Sequence, residues 1–218
     1  MRRGTHRGWL VILLWLCAGG ASAIGAQQVV DRIVARVEED IILQSDMEQL
    51  ARYQTLVDGK PESNEQILDR LIDQWIVRKE AEASRFPAAS EADVERSMQQ
   101  LQRAFAKKED LDAQRQRAGL SEGELRQIVV AQVFLSNYLD SRFRPSVQVD
   151  EQAIKDFYDQ AVIPRAKARG QEAPPLDAAR DLIQEALIQR GINDQADRWL
   201  KESRARLRVA KFLSEGSK

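Results

Sequence analysis

The sequence predicts a mainly α-helical protein with a few short β-strands. Apolar residues recur at the 3.6-residue spacing of amphipathic helices over most of the chain, which is rich in Ala, Leu, Gln, Glu and Arg. The alternation typical of strands is confined to short stretches around 29–43, 147–149 and 209–213. We therefore expect a multi-helix body in which strands from the two ends of the chain pair with each other.

The first 26 residues have the layout of an export signal. A basic start precedes an apolar run at 9–18, and small residues follow it. The run is about half as long as the ~20 residues that a membrane-spanning helix needs. We expect a signal peptide over 1–26, cleaved after Ala23 or Ala26, which leaves an exported chain without a membrane span.

The composition of the remaining chain excludes most catalytic chemistry. The only histidine, His6, and the only cysteine, Cys17, both lie in the signal. Without them the chain cannot build a Ser-His-Asp triad, a Cys-His pair or a zinc site of the usual kind. No glycine-rich phosphate loop or calcium-binding loop is present. We expect no catalytic residues, no metal and no cofactor, although a carboxylate pair or a Ser-Lys pair stays open as an enzyme alternative.

The charge balance does not favour nucleic acid as a partner. Removal of the three arginines in the signal lowers Lys+Arg from 33 to 30 against 34 Asp+Glu, so the net charge moves from −1 to about −4. A cysteine-free chain must also be held together by its apolar core alone, which is feasible at this length.

Serine residues mark the beginnings of the predicted helices. Ser45, Ser63 and Ser121 are each followed three residues later by Glu or Gln, the pattern of a capping box, and Ser90 opens a further helix. These signals predict helices over 46–57, from 63 to Pro87, over 90–107 and from 121 to Pro145, with a short helix over 107–119 that ends at a glycine.

The apolar residues of these helices predict which of them are buried. The second helix carries a wide core-facing stripe, the third a narrow seam, and the long helix after Ser121 is apolar nearly all round and is expected to be the central buried helix. The stripe comprises Ile67, Leu68, Leu71, Ile72, Trp75 and Ile76, and the seam comprises Val94, Met98, Leu101 and Phe105.

The second half of the chain predicts a linker and a returning C-terminal segment. After a strand at 147–149 and a helix capped by Asp150, residues 164–175 mix proline, glycine and charge without periodicity. Beyond them, two helices separated by Gly191 lead into a strand at 209–213. That strand needs a partner, and the strands at 29–43 are the nearest candidates. Trp199 would then pack on the N-terminal helices near Trp75, unless the C-terminal helices form a separate hairpin. The predicted units are 27–163, the linker 164–175 and 176–218.

Five segments in this order resemble the SurA family of periplasmic chaperones. They are DRIVARVEEDIILQSDME (31–48), LDRLIDQWIVRKEAE (68–82), LSEGELRQIVVAQVFLSNYL (120–139), VQVDEQAIKDFYDQ (147–160) and LIQEALIQRGINDQADRWLKESRARLRVAKF (182–212). The resemblance implies a chaperone core in which the N-terminal helices and the returning C-terminal segment form one body with a crevice for unfolded outer-membrane proteins. The family's parvulin-type prolyl isomerase domain is replaced by the linker, so no isomerase activity is expected.

The resemblance therefore implies a periplasmic, ATP-independent, chaperone-like protein that binds unfolded outer-membrane or exported polypeptides. Candidate groove residues, chosen because methionine and aromatic side chains suit adaptable binding surfaces, are Met47, Leu50, Tyr53, Met98 and Phe105. The alternative is a structural or assembly subunit that binds one cell-envelope partner or itself. A domain-swapped homodimer through the linker is a further option.

Overall fold

The computed structural model describes residues 31–213, and the predicted export signal over 1–26 lies outside them. The described chain is mainly helical with one small sheet, which confirms the predicted fold class. The elements are β1 (Ile33–Val37), β2 (Asp40–Leu43), α1 (Gln44–Asp58), α2 (Asn64–Ala83), α3 (Glu91–Arg103), α4 (Lys108–Arg117), α5 (Glu122–Phe143), α6 (Glu151–Phe157), α7 (Ile163–Ala168), α8 (Leu176–Arg204) and β3 (Val209–Lys211). Within 31–213, no helix is both long and apolar enough to cross a membrane.

The sheet joins the beginning and the end of the described chain. Strands β1 and β2 form an antiparallel hairpin, and β3 pairs antiparallel with the other side of β1, in the order β2-β1-β3. The amide of Phe212 extends this pairing by donating to the carbonyl of Val34 at 2.8 Å. The prediction that the closing strand pairs with the N-terminal strands is therefore confirmed.

The first core lies between the sheet, α1, α2 and the end of α8. Its fully buried members include Val34, Ile67, Leu68 and Ile72, and Trp199 packs against the same cluster. The ring centroid of Trp199 lies 5.9 Å from that of Phe143 on α5. The C-terminal helix thus packs on the N-terminal helices of its own chain and does not form a separate hairpin.

A second core joins α3, α4 and α5 to the end of α1. Its buried side chains come from all four helices and from the connection between α4 and α5: Leu56, Val94, Leu111, Ala118, Leu120, Leu125, Val129 and Val133. Ser121 caps α5 and Ser90 caps α3, as the sequence predicts, because their hydroxyls accept from the amides of Glu124 and Asp93. The reciprocal bond of the capping box is also present in α5.

The cap predicted at Ser45 is wrong. Helix α1 begins at Gln44, and the carboxylate of Asp46 accepts from the amide of Leu43 at 2.9 Å. Ser45 instead donates its hydroxyl to Asp31, and this bond is the largest cause that lowers the pKa of the Asp31 carboxyl. The serine therefore fastens the chain before β1 to the start of α1.

The predicted break at Gly191 is also wrong, since α8 runs without interruption through it. A Cβ built on Gly191 would meet the Val147 side chain at 2.6 Å. The glycine is thus present because another segment crosses the helix closely at this point, and not because the helix ends there. The crossing segment contains residues 147–149, which form no strand, contrary to prediction.

The segment predicted as a linker begins inside a helix. Helix α6 continues through a π-helical turn at Tyr158–Val162 into α7, so the predicted irregular structure is wrong for 164–168. Pro164, the second residue of α7, has no amide to donate, and it directly follows the π-helical turn in which the regular α-helical hydrogen-bond pattern is already interrupted. The irregular stretch is limited to 169–175.

Helices α5 and α8 are tied by Arg144. Its guanidinium donates to both carboxylate oxygens of Asp140, at 2.8 and 2.9 Å, and to both of Glu185, at 2.7 and 3.0 Å. The bonds from Arg144, followed by one from Gln189, lower the pKa of Glu185 from 4.5 to about 2. These hydrogen bonds fix α8 at Glu185 to the end of α5 at Asp140, in addition to the packing of the two cores.

Candidate functional site

A crevice of about 260 Å³ is bounded by β2, α1, α2 and α5. Its apolar lining consists of Ile41, Ile42, Leu50, Leu71, Trp75, Ile128, Ala131 and Leu135. Its polar lining consists of Asp46, Gln49, Gln74, Arg78, Gln127 and Gln132. We call this concavity the crevice. It combines an apolar floor with long neutral amides, and it lies where the N-terminal hairpin meets α5.

The wall around Trp75 is held rigidly. The indole Nε1 donates to the carboxylate of Asp40 at 2.9 Å, and the same oxygen accepts from Lys79, also at 2.9 Å. These two bonds, that from Lys79 first, lower the pKa of Asp40. The carboxylate therefore stays ionised and orients the indole, so that β2 and α2 present one continuous apolar wall to the crevice.

The position of α2 depends on the C-terminal segment. Arg204 near the end of α8 forms ion pairs with Asp69 and Asp73, and Lys211 in β3 pairs with Asp69 at 2.7 Å. Burial is the largest cause that raises the pKa of Asp73, against which the bond from Arg204 acts. Residues close to the end of the described chain thus brace the helix that forms one side of the crevice.

The glutamine side chains that line the crevice form few hydrogen bonds with other residues. Among the described residues, the side-chain amides of Gln49, Gln74 and Gln127 form no hydrogen bond with the protein, whereas the carbonyl of Gln132 accepts from the Tyr53 hydroxyl at 2.9 Å. Each free amide offers two donors and one acceptor. The crevice therefore presents hydrogen-bonding groups without a protein partner among the described residues, next to apolar side chains.

A second depression lies on the other side of α5. It has a volume of about 700 Å³, and we call it the outer groove. Its lining is largely apolar and consists of Phe86, Ala88, Ala89, Gly123, Arg126, Gln127, Val130, Ala131 and Phe134. Gln127 and Ala131 line both concavities. The crevice and the outer groove therefore meet across the exposed face of α5, where Val130 is 39% exposed.

The residues predicted from the sequence to line a groove are distributed over several places. Leu50 lines the crevice, whereas Met47 is only 3% exposed and belongs to the first core. Tyr53 is separated from the crevice by Gln132, to which it donates. Its buried ring raises the pKa of its hydroxyl.

Two further predicted groove residues, Met98 and Phe105, are half-buried and pack against the second core. Neither lines the crevice or the outer groove. Of the five predicted residues, the structure therefore brings one into the crevice and leaves one beside it.

Sequence reasoning missed the contribution of α5. Its nearly continuous apolar surface predicts burial on all sides, but Val130 and Ala131 are exposed and Ile128 and Leu135 line the crevice. A helix that lines a crevice carries the same apolar residues as one in a core. The presence of Gln127 and Gln132 among them was the only available signal.

Comparison of the chain with protein-family models and with curated proteins finds no match. In the part of the chain that the structure describes, no group of three or more Asp, Glu, His or Cys side chains is placed to hold a metal ion.

Proposed function

We propose that the protein binds unfolded polypeptide segments in the crevice and thereby keeps exported clients, such as outer-membrane proteins, from aggregating. The observation that carries this proposal is the crevice between β2, α1, α2 and α5, whose lining combines apolar side chains with free amides. Recognition sites of this kind bury side chains of the client and form hydrogen bonds with its main chain. The resemblance of the chain to the SurA family supports the same function.

The exposed face of α5 supports a client longer than the crevice. A segment that leaves the crevice over Gln127 and Ala131 enters the outer groove, where Phe86, Val130 and Phe134 offer further apolar contacts. Apolar patches of this kind on a protein surface mark interaction sites. Binding spread over two weak sites suits a protein that must release its clients without chemistry.

The experiment that tests the proposal measures aggregation of a denatured outer-membrane barrel protein after dilution, with and without the purified protein. We expect suppression at a few-fold molar excess. The variant Ala131→Arg places a long charged side chain where the crevice and the outer groove meet, and we expect it to abolish most of the suppression. Ala131 is exposed, so the change leaves the cores intact.

The matched control is Ala186→Arg, because Ala186 is an exposed alanine inside another helix, α8, and lines neither concavity. It should suppress aggregation as well as the wild type does. A prolyl isomerisation assay on the same samples should show no activity. The absence of suppression at several-fold excess would contradict the proposal and favour a dedicated assembly partner.

A further inference from the structure

The chain is 31% charged, but only two of the fourteen residues that line the crevice, Asp46 and Arg78, carry a charge. The carboxylate of Asp46 already caps α1. Four lining residues are glutamines from three different helices: Gln49 on α1, Gln74 on α2, and Gln127 and Gln132 on α5. The hydrogen-bonding capacity of the crevice thus comes chiefly from neutral amides.

We infer that these glutamines bind the main chain of an extended polypeptide, so that the crevice selects backbone conformation and is indifferent to side-chain charge. This inference rests on the proposed function and names the part of the client, its main chain, that the crevice recognises. A primary amide matches a peptide group, because it donates and accepts at once and carries no net charge. A charged lining would instead select clients of opposite sign and would cost more to desolvate.

The conformation of the bound segment follows from the same amides. An extended segment leaves the N–H and C=O groups of its main chain unpaired, whereas a helix satisfies them internally. Gln49, Gln74 and Gln127 have unpaired amides of their own among the described residues. These amides can therefore bond the main chain of an extended segment, but not that of the interior of a helix.

The amide of Gln132 is already oriented for this role. Its carbonyl accepts from the Tyr53 hydroxyl, so its NH₂ group remains as the donor. The apolar floor, with Leu50, Leu71 and Trp75, receives the alternate side chains that point away from the main-chain contacts. The occupant is thus an extended segment whose main chain meets the glutamine amides and whose apolar side chains meet the apolar lining.

The experiment compares two peptides of identical apolar sequence by calorimetry on the wild-type protein. One is unmodified, and the other is N-methylated at every second residue, which removes main-chain donors but keeps the side chains. We expect N-methylation to weaken binding at least about tenfold, since each of several lost hydrogen bonds contributes measurably. A capped helical peptide of similar composition should bind more weakly than the unmodified extended one.

The double variant Gln74→Leu/Gln127→Leu keeps the size of the side chains and removes their amides. We expect it to bind the unmodified peptide about as weakly as the wild type binds the N-methylated one, and to lose the discrimination between the two. Equal affinity of the wild type for both peptides would overturn the inference while leaving the proposed function standing. The absence of binding to either peptide would overturn both.

Discussion

Gly191 on α8 and Val147 on the segment that crosses it lie so close that a Cβ on the glycine would come within 2.6 Å of the valine Cγ1 and 3.1 Å of its Cγ2. Val147 is branched at Cβ and cannot rotate a methyl group away freely. The pair therefore sets the distance between α8 and the segment that leads from α5 into α6.

The first prediction concerns Gly191→Ala. An alanine inside a helix normally stabilises it by about 1 kcal/mol relative to glycine. Here we expect the free energy of unfolding to fall by about 1–3 kcal/mol, because the added methyl group overpacks the contact. Urea denaturation measures the change. Gly123 in α5 has no atom near its missing Cβ, so Gly123→Ala should be neutral or stabilising.

A double variant separates overpacking from other causes. In a Val147→Ala background the clash with residue 191 is removed, and Gly191→Ala should then no longer destabilise the protein. Equal losses in both backgrounds would show that something other than the contact with Val147 requires the glycine.

The second prediction concerns the pH dependence of Glu185. Because Arg144 lowers its pKa to about 2 in the folded chain, the ionised carboxylate stabilises the fold above the unfolded-state pKa near 4.5. This contribution is lost as the pH falls from 4.5 towards 2. The pair is half-exposed, so we expect Glu185→Gln to cost at most about 1 kcal/mol at pH 6. The difference from the wild type should shrink towards zero near pH 2.

Urea denaturation at several pH values measures this difference. Asp181→Asn is the control, because Asp181 lies on the same helix and forms no ion pair or side-chain hydrogen bond within the described residues. A difference between wild type and Glu185→Gln that stayed constant from pH 6 to pH 2 would contradict the role given to Arg144.

The third prediction concerns the amide of Phe212. Its side chain is 53% exposed, but its N–H donates to the carbonyl of Val34. Phe212→Pro removes this donor, and Phe212→Ala keeps it. We expect the proline variant to unfold with about 1–3 kcal/mol less free energy than the alanine variant. If the two unfold at the same urea concentration, this bond does not hold the closing strand.

The fourth prediction concerns Val130, which lies in the outer groove but not in the crevice. If clients continue from the crevice across α5, Val130→Asp should weaken binding of an extended apolar peptide of about twelve residues, which reaches roughly 40 Å. Binding of a peptide of about four residues, which fills the crevice only, should be unchanged. Fluorescence anisotropy of labelled peptides measures both. Equal weakening of both peptides would mean that the substitution disturbs the crevice itself.

Local patterns predicted those parts of the fold that depend on neighbouring residues. Ser63, Ser90 and Ser121 cap their helices as expected, because a cap needs only an amide three residues ahead. The closing strand was predicted from its local alternation, and its long-range pairing was predicted from the cost of leaving a strand unpaired.

The failures occurred where a distant residue decides the structure. Ser45 has a cap-like sequence, but Asp31, fourteen residues earlier, takes its hydroxyl. The glycine at position 191 is typical of a helix end, but the close approach of the Val147 side chain explains why a glycine is there. Apolar periodicity cannot distinguish residues of a core from residues that line a crevice. The same periodicity predicts only that Gln127 faces solvent. The crevice therefore could not be predicted from spacing alone.

The pairing of β1 with β3 makes the sheet depend on residues more than 170 positions apart. During synthesis the hairpin is complete early, but its open side must wait for almost the whole chain before it is covered. Such long-range closure is slow, and an uncovered strand is prone to join other chains. A protein that we propose protects others from aggregation thus has a vulnerable period of its own, which lasts until β3 is in place.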